Sequence, residues 1–165
     1  MKDTFTMFAA YNRWANRRLY AAAGDVAEAD YMADRGAFFG SLHRTLNHIV
    51  VADLIWMSRF TGAGPVPAKL DEERAATFAD LVPIREALDL RIIDFVAGLT
   101  EDGLAGEFSY RTVTNPKDMR QRLAPALSHF FNHQTHHRGQ AHCLLTQITG
   151  DAPPLDLLFY QRETA

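Results

Sequence analysis

Apolar residues recur every three or four positions through almost the whole chain. That spacing restricts it to helices that each bury one stripe. From about Asp3 to Ala23, Phe5, Phe8, Ala9, Asn12, Ala15, Asn16 and Leu19 fall on one face, with Asp3 or Thr4 suited to the N-cap and Gly24 to the end. A second helix is read over Phe38–Phe60, with Leu42, Leu46, Ile49, Asp53 and Trp56 as its stripe. The Gly- and Pro-rich TGAGPVP at 61–67 stops it. A third helix spans Asp71–Leu99, with acids in its first turn, where the helix dipole favours them, and with Pro83 inside as a kink or a restart.

Residues 100–120 lose the period, and Phe108, Tyr110 and Thr112 alternate with polar neighbours, the pattern of a short irregular or hairpin segment. A fourth helix runs from about Arg122 to Thr149 and ends at Gly150; the apolar run Leu155–Tyr160 of the tail is expected to pack back. The 165 residues contain no internal repeat and suffice for one core. The reading is all-α: a single four-helix-bundle domain over 1–165, with a short irregular or hairpin segment before the last long helix.

Five of the seven histidines fall within HFFNHQTHHRGQAH, residues 129–142, on that last helix. His133 and His137 lie about 40° apart, one turn from each other, so both rings can reach one ion at about 2.0–2.1 Å. Their stripe continues through Ala126, Phe130, Gln140, Ala141 and Leu144 and therefore faces the core. A buried imidazole needs a partner, which is either a hydrogen bond or a metal. His129 stands one turn before His133, His136 lies about 60° off the face, and His142 points to the opposite side.

Two side chains hold an ion weakly, so a third ligand is sought on another helix. His48, in LNHIVVADLIW, has Thr45, Ala52 and Ile55 beside it, while His43 lies about 140° away and cannot serve the same site. His43 and His142 are read as surface or hydrogen-bonded residues, and Cys143 as a small packed residue.

Several function classes are excluded. The residues between His133 and His137 are Gln134, Thr135 and His136, so the zincin glutamate is missing. There is no Glu-x-x-His pair of a di-iron bundle and no G-x-S-x-G. A single cysteine rules out an internal disulfide or a thiolate zinc cluster. Seventeen basic against 20 acidic residues give no basic face for nucleic acid, and Arg13, Arg17 and Arg18 read as a solvated helix face. With no 18-residue apolar run and no signal-like N-terminus, the expectation is a cytoplasmic protein with no membrane partner.

Three segments, YNRWANRRL (11–19), LNHIVVADLIWMSRF (46–60) and FNHQTHHRGQ (131–140), together resemble the DinB/YfiT-like superfamily, most closely its DinB damage-inducible branch. The resemblance runs from the first helix to the tail. It implies a four-helix bundle with an open metal site of three histidines, here His48, His133 and His137, commonly holding zinc or nickel, and it implies a homodimer. Related proteins transfer low-molecular-weight thiols such as bacillithiol, mycothiol or glutathione, and include a maleylpyruvate isomerase.

The leading expectation is a metal-dependent enzyme that transfers such a thiol to a small electrophilic substrate, with Arg138 and Gln140 orienting the site or holding the thiol. The alternatives are a hydrolase using metal-bound hydroxide and a non-catalytic, stress-related metal-binding protein. His129 and His136 leave open whether a fourth histidine completes the coordination.

Overall fold

The first helix forms where the periodicity places it. In the computed structural model, which describes residues 1–165, α1 runs Lys2–Gly24 and buries Phe5, Ala9, Asn12, Ala15, Asn16 and Leu19. Neither Asp3 nor Thr4 caps it. The N-terminal amine and the Lys2 N–H instead donate to Glu101 Oε1 at 2.8 and 2.9 Å. A short helix, α2 (Glu28–Met32), follows.

The second long helix, α3 (Leu42–Thr61), starts later than its apolar stripe suggested. Gly40 turns the chain at φ +81°, Ser41 is extended, and the Ser41 hydroxyl accepts the Arg44 N–H at 3.2 Å, so the helix nucleates there and leaves Phe38 and Phe39 outside it. Gly62, at φ +67°, closes the other end in the left-handed conformation that glycine adopts without steric cost.

The third long helix, α4 (Phe78–Ala97), likewise begins after the expected Asp71. Thr77 caps it through the Asp80 N–H at 3.1 Å. The acids of residues 71–73 belong to the preceding connection, where Glu72 accepts from the Ala68 N–H and Arg74, and Glu73 from Arg44. Pro83 sits within α4 and causes no restart.

After α5 (Glu101–Ala105), strands β1 (Glu107–Arg111) and β2 (Asp118–Arg122) pair antiparallel as the expected hairpin, with Tyr110 opposite Met119. Phe108 and Tyr110 turn to one face and pack on α3, their rings 5.3 Å from Phe60 and 5.6 Å from Trp56. The last long helix, α6 (Leu123–Thr149), ends at Gly150 as read.

The tail forms α7 (Leu157–Glu163) and returns to α1. Tyr11 donates to the Leu155 carbonyl at 2.6 Å, Trp14 donates to Glu163, and Tyr160 meets both rings edge-on. Leu158 and Phe159 stay exposed.

Helices α1, α4, α3 and α6 neighbour one another in that order around a four-helix bundle. Leu19, Leu46, Leu81, Ile92, Leu127 and Phe130 fill its centre. The bundle also buries two guanidiniums and two carboxylates. Arg85 bridges Asp53 at 2.6 Å and Asp89 at 2.9 Å, Asn12 and Asn16 donate to Asp89, and Gln134 donates to Asp53 at 3.0 Å. Arg138 donates to the side-chain oxygens of Asn12 and Asn16 at 2.6 and 3.2 Å. All four long helices contribute, and the charges sum to zero, the condition under which buried ions are tolerated.

Candidate metal centre

His133 and His137 face the α3 side of α6 one turn apart, and His48 faces them from α3. The ring centroids of His48 and His137 are 4.5 Å apart, those of His133 and His137 4.3 Å, and those of His48 and His133 5.5 Å. One nitrogen from each ring lies within 4.8 Å of the other two. Two of the three rings have their outward nitrogen tied down. His48 Nδ1 lies 2.9 Å from the Leu70 carbonyl, which only accepts, so Nδ1 carries the proton and Nε2 keeps its lone pair. His137 Nδ1 donates to Gln140 Oε1 at 2.8 Å. Such acceptors behind a histidine fix its tautomer and orient it as a ligand.

The donor set fits a divalent ion. His133 Nε2 and His137 Nε2 are 3.1 Å apart. Two nitrogens at 2.0–2.1 Å from one ion are separated by about 2.9 Å at a right angle and about 3.3 Å at the tetrahedral angle. Burial, reinforced by the neighbouring rings, pushes His133 down to about 3. Burial is also the main cause lowering His48 and His137. Three imidazoles kept neutral at ordinary pH can serve as ligands, as cations could not.

Phe39 closes one side, its ring stacked on His48 at 3.9 Å and edge-on to His137 at 5.5 Å. A cleft of about 520 Å³ reaches His48 past Phe38, Arg44, Asp71 and Glu73.

The remaining histidines lie outside the group of three whose nitrogens converge, although the His136 ring meets that of His137 edge-on at 4.7 Å. His129 packs against Trp56, with its ring 5.7 Å from His133. His136 accepts from Gln140 Nε2 at 3.3 Å, so one carboxamide serves two histidines. His43 is buried against Tyr31 and Glu73, and His142 donates to the Pro153 carbonyl. Gln140, singled out in the sequence, stands behind His137. Arg138 does not reach the triad: it is 2% exposed and committed to Asn12 and Asn16. Cys143, read as packed, is exposed.

Two site residues had no usable signal in the sequence. The Leu70 carbonyl is a backbone group, which no residue type marks, and Phe39 read as part of a helix.

The DinB family model matches residues 1–165. This chain belongs to the DinB family. Protein DinB of Bacillus subtilis (strain 168) is 25% identical over 165 residues, covering 97% of this chain and 95% of that protein. The DinB match spans all four bundle helices and both helices that supply the histidine triad. No helix of this DinB-family protein is long and apolar enough to cross a membrane.

Proposed function

We propose that this DinB-family protein is a metal-dependent enzyme acting on a small molecule, with His48, His133 and His137 as ligands of a divalent ion, zinc or nickel. The observation that carries the reading is the convergence of three neutral imidazoles, two with fixed tautomers, beside a cleft that reaches one of them. An ion held by three neutral ligands keeps its full charge and lowers the pKa of a bound thiol or water.

The leading reaction is transfer of a low-molecular-weight thiol to an electrophile. The chain's own contributions are separable. The Leu70 carbonyl and Gln140 orient two of the rings. Phe39 keeps water from one face of His48, and the cleft admits the substrate.

A second reading, hydrolysis, is favoured by one feature of the cleft. Its wall carries Asp34, Asp71, Glu72 and Glu73 against the single cation Arg44, a poor setting for a thiol that bears carboxylates. Arg138 is spent in the core and cannot offset them. The resemblance also supports a homodimer, and the exposed Leu158 and Phe159 offer apolar area for a second copy.

The decisive experiment is metal analysis of untagged protein and of His48→Ala, His133→Ala and His137→Ala. Each substitution is expected to abolish stoichiometric metal, whereas His43→Ala and His142→Ala retain it. Unchanged metal in the triad variants refutes the site. Turnover that requires bacillithiol, mycothiol or glutathione supports the transferase; turnover of esters or amides without thiol supports the hydrolase. Metal binding without any turnover would leave a non-catalytic metal-binding protein.

A further inference from the structure

Asn47 precedes His48 on α3 and is 1% exposed, yet it is not directed at the histidine triad. Its carboxamide binds the connection between α3 and α4 instead. Asn47 Oδ1 accepts the Arg74 N–H at 2.7 Å and the Ala75 N–H at 3.1 Å. Asn47 Nδ2 donates to the Ala75 carbonyl at 3.3 Å and to the His43 carbonyl at 3.3 Å. One side chain therefore satisfies both backbone groups of Ala75, as a neighbouring strand would in a segment that has none. Ala75 is itself buried in the core cluster, so this point of the connection is pinned. Five residues earlier the same connection presents the Leu70 carbonyl to His48 Nδ1.

We infer that Asn47 is a positioning residue for the metal centre: by clamping residues 74 and 75 it places the Leu70 carbonyl that holds His48 in its Nδ1-protonated tautomer. This rests on the triad being the metal site. The other tie between connection and helix is Glu73 with Arg44 and His43, in which Glu73 and Arg44 are largely exposed. An exposed ion pair is screened and holds geometry weakly. Without the clamp the Leu70 carbonyl loses its fixed place. The His48 proton can then move to Nε2, the nitrogen that faces His133 and His137. In that tautomer the proton must return to Nδ1 before Nε2 can bind an ion, and affinity falls.

The test uses metal-free full-length protein labelled with ¹⁵N-histidine, read by long-range ¹H–¹⁵N correlation at a pH where the triad is neutral. Wild type is expected to show His48 protonated on Nδ1, and Asn47→Ala to show a mixture or the Nε2 form. Zinc affinity, measured by competition with a chelator, is expected to fall about 10- to 100-fold in Asn47→Ala. Asn47→Asp keeps both acceptor contacts to residues 74 and 75 and is expected to recover most of the Nδ1 tautomer. Glu73→Gln, which weakens the exposed tie, is expected to leave the tautomer unchanged.

A His48 protonated on Nε2 in the wild type overturns the inference even if no variant folds. So does an Asn47→Ala protein that loses thermal stability while keeping wild-type tautomer and affinity. Because the tautomer is read without metal, these outcomes are distinct from failure of the triad itself, which His48→Ala reports.

Discussion

Replacing Arg138 by methionine discriminates between two roles for this residue, as a holder of a substrate or thiol and as a structural cation. The side chain is 2% exposed and lies among Asn12, Asn16 and Thr135. Methionine of similar length fills the space, so a cavity contributes little. What changes is electrostatic. Two side-chain oxygens, on Asn12 and Asn16, lose their donor, at about 1–3 kcal/mol for each buried group left unpaired. The core also changes from two cations and two carboxylates to one cation facing Asp53 and Asp89. Arg138 forms no direct ion pair, but its removal leaves one buried carboxylate charge without a balancing cation, for which the scale is about 3–5 kcal/mol; we take that range for the total because the asparagines can partly re-pair.

For a domain of this size such a loss lowers Tm by roughly 6–20 °C. Urea denaturation of the metal-free protein measures the free energy directly, since the linear extrapolation needs no ligand. Arg138→Lys places one ammonium where a forked guanidinium reached two asparagines, and it should recover only part of the loss. A methionine variant within about 1 kcal/mol of wild type, but unable to turn over substrate, would refute the structural role and return Arg138 to the site.

The metal-free protein should lose stability in acid through its histidines. The folded state holds His133 near 3 and also lowers His48 and His137, whereas the unfolded chain titrates near the ordinary value of 6.5. Their contribution is therefore complete above about 6.5 and disappears as pH falls towards the folded value, because only the unfolded state takes up protons in that window. Urea midpoints that stay flat between pH 7 and pH 5 would contradict this. Gln140→Ala removes the acceptor behind His137 and should weaken zinc binding about 10- to 100-fold, as judged by chelator competition; Gln140→Glu, which still accepts, should not. Thr77→Ala removes the hydroxyl that caps α4 and should cost about 1 kcal/mol, or roughly 2–4 °C in Tm, with metal content unaffected.

The amphipathic period was enough to assign a four-helix bundle, and the four-residue spacing of His133 and His137 was enough to place both rings on one face. Both follow from local geometry, which repeats every turn whatever the rest of the chain does. The starts of α3 and α4 lie later than the periodicity predicts because apolar and acidic patterns continue into their flanking connections. There Gly40, Ser41 and Thr77 decide where the backbone turns. Asn12, Asn16 and Asp53 could be recognised as polar residues in buried stripes, but their partners Arg85, Asp89, Gln134 and Arg138 lie on other helices.

The tertiary structure alone set the height at which His48 meets α6, the turning of Arg138 into the core next to a His137 that faces the triad, and the use of a backbone carbonyl from a connecting segment to hold His48. Such contacts join residues far apart along the chain. They depend on how rigid helices slide and rotate against one another, and no periodicity within one helix encodes that displacement.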